Sequence, residues 1–237
     1  DLYIIAAEMA IMTGNGASAE RYTNEVLSQG DFGTFEILPL QMARINKIAA
    51  ADLRFREAVT EYLRLLKGLG CRLTWTKGLV PVQAIAKLFR TVKKAKARPM
   101  EFYDTMAPTG DQKQLAIASI VWKVMYYTFQ SNDIPLHLLC TVKLVDMTLE
   151  YGVNEFSAKS FALLGFACIF GLQDYEAANT FFTIALFLLK KYRGMHTADT
   201  IFISHGPGLV WTNRIEKVAS PMRDAVADGL RNGDTGT

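Results

Sequence analysis

The stretch Ser160–Tyr192, "SFALLGFACIFGLQDYEAANTFFTIALFLLKKY", decides how this chain folds. Two strongly apolar blocks, Phe161–Leu172 and Phe181–Leu189, are split by a polar break that carries Asp174, Glu176 and Asn179. A membrane-spanning helix needs roughly 20 apolar residues in succession. Neither block is that long and the break is charged, so the pattern predicts a buried helix pair and not a membrane hairpin. Small residues recur where two helices must approach: Ala162, Gly165 and Ala167, then Ala177, Ala178 and Ala185. Large residues fill the gaps: Phe161, Leu164 and Cys168, then Phe181, Ile184 and Leu188. Both sets follow spacings of three and four, the signature of one helix face. Gly171 reads as a stop for the first helix and Asp174 as the N-cap of the second.

The same grammar recurs along the chain. In the segment 42–70, Ala58, Tyr62 and Leu65 occupy the places of Ala177, Phe181 and Ile184, with Ile45 and Ala49 matching Leu164 and Cys168. Near the start the series is Tyr3, Ala6, Ala7 and Ala10, then Ala19, Tyr22 and Val26; near the end it is Met222, Ala225, Val226 and Leu230. The unit is a helix pair of about 35 to 40 residues, which cannot bury its apolar face alone and must stack on its neighbours. The predicted fold is therefore all-α, a TPR-like α-solenoid of antiparallel helix pairs coiled into a right-handed superhelix. Roughly ten to twelve helices are expected and no strand. They lie near 2–13, 17–29, 35–52, 55–68, 79–97, 111–130, 134–151, 156–171, 174–192, 197–212 and 215–231. Pro39, Pro81, Pro135 and Pro221 fall near predicted helix starts, where proline is tolerated.

The middle departs from the repeat. Val82, Ile85, Phe89 and Val92 are expected to form the core side of one amphipathic helix. Lys87, Arg90, Lys94 and Arg98 form its basic side, within a run of six cations from Lys87 to Arg98. "PMEFYDTMAPTGD" reads as a surface linker, which divides the chain into N-terminal repeats plus the basic helix (1–98), a connector (99–110) and C-terminal repeats (111–237).

Bulk properties narrow the function classes. The chain has 237 residues, 50% of them hydrophobic and 21% charged, with a net charge of only +3. That composition suits an ordered, core-rich protein. It supplies no global field toward nucleic acid, so nucleic acid is not an expected partner. Cys71, Cys140 and Cys168 lie far apart with no CxxC spacing, as in a reducing compartment, which points to a cytoplasmic protein. The opening "DLYIIAAEMAIMTG" has no basic n-region, and the chain reads as a fragment of a longer protein.

Candidate chemistry is sparse. "GNGASA" (Gly14–Ala19) matches a loose dinucleotide pattern, but the segment before it has helical periodicity where that fingerprint needs a strand, so it reads as a helix–turn–helix corner. His137 and Cys140 share a predicted helix face, yet zinc needs two further ligands. Trp122, Tyr126, Tyr127 and Phe129 read as a core stripe, with a peptide groove as the sharper alternative. The Lys87–Arg98 face reads as solvated, with contact to phosphate or an anionic membrane as its functional alternative. No catalytic, cofactor-binding or metal-binding residue is nominated, and no cofactor is expected.

From "LLCTVKLVDMTLEYGVNEFSAKSFALLGFACIFGLQDYEAANTFFTIALFLLKKY" the chain resembles the helical-repeat region of very large signalling proteins, in which a protein-kinase-like domain and an AAA or STAND-type ATPase precede a TPR-like region. The matching positions are Lys143, Val145, Thr148, Leu149, Tyr151 and Gly152, then Ser157, Ala158, Phe161, Leu164 and Gly165. The connector "MAPTGDQKQLAI" and the terminal "ASPMRDAVADGLRNGD" are also similar to that family's pattern. The resemblance is strongest from Thr105 to Tyr192 and rests on packing motifs, so it implies architecture. It carries over no nucleotide-binding or phosphoacceptor residue. It implies a non-catalytic scaffold or relay module that binds a protein, a peptide or neighbouring domains of its own chain. The alternatives are a stand-alone TPR-like adaptor, or a helical enzyme domain with a pocket near His137, Cys140 and Trp122.

Overall fold

The structure, a computed structural model, describes residues 5–7, 9–10, 13, 15–29, 33, 35–74, 77–192, 196–211 and 213–232. Among these residues the regular structure is helical throughout, apart from one isolated parallel bridge between Pro108 and Val153. The helices are α1 (Gly16–Gln29), α2 (Leu38–Asp52), α3 (Phe55–Gly68), α4 (Val80–Lys96), α5 (Met100–Thr105) and α6 (Gln112–Gln130). They continue with α7 (Ile134–Tyr151), α8 (Ser157–Ala167), α9 (Tyr175–Lys191), α10 (Thr197–Ile203) and α11 (Ile215–Asn232). None of them is long and apolar enough to cross a membrane.

The Ser160–Tyr192 stretch forms the tightest pair, α8 against α9. Ala162, Leu164, Phe161, Ala177, Ala178, Phe181, Ile184, Ala185 and Leu188 are all buried in its seam. Asp174 caps α9 as its sequence position predicts, accepting a hydrogen bond from the Ala177 amide at 2.9 Å. Gly171 is not the stop. A π-helical turn (Cys168–Leu172) carries α8 one turn further, and the chain reverses at Gln173, whose φ is 55°.

One ring locks this pair to the next segment of the chain. A methyl group placed on Gly165 would lie 2.8 Å from the Phe182 ring, and one on Gly208 would lie 2.5 Å from it. Phe182 therefore fills a slot between α8 and a second π-helical turn (Ser204–Gly208) that only glycine leaves open at both walls. This turn breaks the helix expected over 197–212, so α10 ends at Ile203.

The helices pack largely in chain order. Helix α2 packs on α3, α6 on α7, α7 on α8, α8 on α9, and α10 on α8 and α11. The exception lies in the middle. Helix α3 packs directly on α6, while α4 leaves the row and lies on α7. Asn46 of α2 ties the first junction: its Oδ1 is 2.7 Å from Tyr62 Oη of α3 and accepts from Tyr127 Oη of α6 at 2.8 Å. Burial raises both phenol pKa values, so these groups stay protonated donors.

The expected 99–110 connector contains the short helix α5. Its Tyr103 is fully buried, donates to the Ala95 carbonyl at 2.9 Å and sets its ring edge-on against Phe161. The strand-like residues after it are pinned by Gly152, whose φ of 104° lets the α7–α8 turn pass close to the Ala107 carbonyl. The Val153 amide donates to that carbonyl at 2.9 Å. One buried core joins residues 38–84 to residues 117–156, and a second joins residues 88–103 to residues 142–189.

Three expectations about faces are corrected. Pro221 is inside α11, where it removes the amide that would serve the Lys217 carbonyl. Among the described residues of α11, Val218, Ala225 and Gly229 are buried, while Val226 and Leu230 face solvent. On α6, Trp122 and Tyr127 are buried but Tyr126 and Phe129 are exposed, so the aromatics do not form one stripe. Tyr3 and Gly14 lie outside the described residues.

The Phe182 slot predicts that Gly208→Ala lowers unfolding stability by about 1–3 kcal/mol, the usual cost of overpacking. Urea titration should show part of that loss recovered when Phe182→Leu shortens the opposing side chain. A Gly208→Ala protein as stable as the parent contradicts the slot.

Candidate functional site

The outer surface of α4 is the most unusual feature of the molecule. The sequence pattern points Val82, Ile85 and Phe89 at the core, but they are 66%, 53% and 57% exposed, and Leu79 beside them is exposed too. The buried face is Ala84, Leu88, Thr91, Val92 and Ala95. Of the expected core row only Val92 faces inward. The reason lies in the partner helix. Ala84 and Ala95 allow α4 to approach α7 closely, and Thr91 Oγ1 donates to Asp146 Oδ2 at 3.2 Å. Tyr103 then closes the C-terminal end through the Ala95 carbonyl. The buried face thus combines two alanines, the apolar side chains of Leu88 and Val92 and one polar anchor.

The cations of α4 border this apolar row. Lys87, Arg90 and Lys94 follow spacings of three and four along its flank, and Lys93 and Lys96 continue the row past Phe89. Helix α4 contains no acidic residue. Lys94 lies 3.5 Å from Asp146, and Lys96 lies 4.0 Å from Asp174 and 3.7 Å from Glu176. Among the described residues no ion pair involves Lys87, Arg90 or Lys93. Partial burial lowers the Lys87 pKa and the neighbouring Lys143 and Arg90 charges lower it further, with Asp146 acting in the opposite sense. The surface thus holds like charges close together.

A second polar constellation gathers on α6, α8 and α10. Trp122 stacks on Phe156 with ring centroids 5.3 Å apart, and Lys159 Nζ sits 4.4 Å above the Trp122 ring. Lys159 is ion-paired with Asp199, and His196 Nδ1 lies 3.7 Å from the same carboxylate oxygen. Burial opposes ionisation of Asp199, but His196 and the Lys159 ammonium outweigh it and hold the carboxyl below its ordinary value. The pair joins the starts of α8 and α10, so its first effect is structural. The cavity beside it, lined by His196, Thr200 and Leu188 among others, measures about 10 Å³, the size of one water molecule. That is far too small for a substrate.

His137 and Cys140 are packing groups in this fold. His137 is turned onto the Met125 carbonyl, 3.0 Å from its Nδ1, and desolvation lowers its pKa. The Cys140 thiol is fully buried in the α6–α7 seam, and burial pushes its pKa well up, away from a reactive thiolate. Trp122 joins neither of them: it belongs to the Lys159 cluster. Among the described residues no group of three or more His, Cys, Asp or Glu side chains is placed to hold a metal ion. A wide, shallow depression of about 500 Å³ opens at the start of α3, rimmed by Leu53, Arg54, Phe55, Arg56, Glu57 and Ser131, with Arg54 paired to Glu57.

No protein-family model, curated protein or solved structure matches the chain.

The buried pair gives a signed pH prediction. Asp199 has a depressed pKa in the folded state, so its contribution is present above the ordinary carboxyl value of 3.8 and is lost as pH falls through the lower folded value. Asp199→Asn should cost on the order of 3 kcal/mol at pH 7, because Lys159 is left in a buried site. Urea titrations should show the gap between variant and parent closing below pH 3.8. A gap that stays constant with pH contradicts the assignment.

Proposed function

We propose that the chain is a non-catalytic interaction and relay module, a TPR-like superhelix of antiparallel helix pairs within a cytoplasmic, multidomain signalling ATPase or kinase. The observation that carries this reading is the outward apolar row of α4, which nothing else in the described chain covers. A folded protein that keeps Val82, Ile85 and Phe89 in water while close-packing the opposite face of the same helix has a surface suited to a partner. The helix pairs α2/α3, α6/α7, α8/α9 and α10/α11 succeed one another in the way a stacked repeat does, which supports the superhelical reading. The resemblance of Thr105–Tyr192 to the helical region of kinase–ATPase signalling proteins supplies the parent context. The polar side chains best suited to chemistry are engaged structurally: His137 with a backbone carbonyl, Lys159 with Asp199. In the relay, nucleotide state upstream changes how a neighbouring domain or a protein partner rests on the helices.

The test has two parts. The parent transcript, read through both ends of this segment, should encode a P-loop ATPase and a kinase-like fold before it. ATP turnover by that parent should change when residues 1–237 are deleted. Turnover that is identical with and without the segment contradicts the relay, and start and stop codons flanking the segment leave a free-standing adaptor.

A further inference from the structure

We infer that the outer face of α4 docks an acidic amphipathic helix of a partner protein. This rests on the interaction-module reading above and deepens it by naming the partner's chemistry. Val82, Ile85 and Phe89 stand at i, i+3 and i+7, the spacing that meets the apolar stripe of a second helix laid alongside. Along one flank run Lys87 and Arg90, and Lys93 stands at the C-terminal end. No ion pair within the described residues engages any of the three, and Lys143 of α7 adds a further positive charge beside Lys87. The occupant must therefore bring its own carboxylates, arranged in a row beside its apolar stripe. Such a row would add to Asp146 in offsetting the Lys87–Arg90–Lys143 repulsion.

The same charges argue against an anionic lipid surface. Cations border the apolar row on one flank and at one end. At the C-terminal end of the row Lys96 faces Asp174 and Glu176, and the Glu176 side chain is 88% exposed. A lipid plane resting on α4 would meet that carboxylate. A discrete helix can end before it.

The experiment uses the full chain and a fluorescein-labelled synthetic helix with a Leu/Phe row at i, i+3 and i+7 and a Glu row beside it. A scrambled peptide of equal composition is the control, and vesicles of phosphatidylcholine with phosphatidylserine are the competing surface. Fluorescence anisotropy should show saturable binding of the amphipathic peptide, weakened by added salt. Arg90→Glu with Lys93→Glu should weaken it by roughly tenfold or more through reversed rim charges. Phe89→Ala, which truncates an exposed side chain and leaves the core untouched, should weaken it by a similar factor of about ten. Absence of saturable binding, equal binding of the scrambled peptide, or binding indifferent to both variants overturns the inference. So does vesicle binding that the same substitutions abolish while the peptide stays unbound. None of these failures touches the relay test, which reads ATP turnover. An unchanged turnover with intact peptide binding would remove the relay and leave the docking face.

Discussion

The ring of Phe182, held between Gly165 and Gly208, is the contact on which the second half of the molecule depends. It sets how closely α9 approaches α8, and it brings the π-helical turn at Ser204–Gly208 onto the same pair. From that junction α10 is aimed so that Asp199 reaches Lys159. Cores are close-packed, so a misfit of one methyl group at either glycine is felt by all three elements. The aromatic platform of Trp122 and Phe156, with Lys159 above it, is the polar counterpart of this lock at the other end of α8.

Against this rigid stack α4 is the outlier. It leaves the chain-order packing, lets α3 meet α6 directly, and is held on α7 by close approach at Ala84 and Ala95, by the Thr91–Asp146 hydrogen bond and by Tyr103. Two apolar rows compete on this helix. The row with small residues buries because it shortens the distance to α7 and satisfies a polar anchor. The bulkier row is left outside with the cations. Burying three large side chains would gain more area alone, roughly 1.5–3 kcal/mol each, but it would give up the fit to α7 and leave Thr91 and Asp146 without each other. The result is a helix that stabilises the fold with one face and offers the other.

Much of the fold is legible in the sequence. The Ser160–Tyr192 pattern gives the helix pair, the Asp174 cap and most of the buried residues, because apolar spacing and capping are local signals. The positions of α2, α3, α6, α7 and α9 come from the same signals. What the pattern cannot supply is set by partners distant in sequence. The reversal at Gln173 in place of Gly171 comes from a π-helical turn that has no local signature. Tyr103 gives α5 its anchor only once Ala95 and Phe161 are nearby. The orientation of α4 is invisible for the same reason: hydrophobicity ranks Val82, Ile85 and Phe89 above Ala84 and Thr91, and the order is reversed by groups distant in sequence, Asp146 on α7 and Tyr103 on α5 among them. The candidate surface is legible as a basic helix face, but the pattern assigns its apolar half to the core.

Cysteine labelling reads the outward placement of Ile85 without any partner. Ile85→Cys in the folded chain is treated with an alkylating reagent, and each cysteine is followed by peptide mass. The thiol introduced at position 85, where Ile85 is 53% exposed, should be alkylated far faster than the native Cys140 and Cys168, both fully buried. Protection at position 85 equal to that of Cys140 would return Val82, Ile85 and Phe89 to the core and remove the docking face.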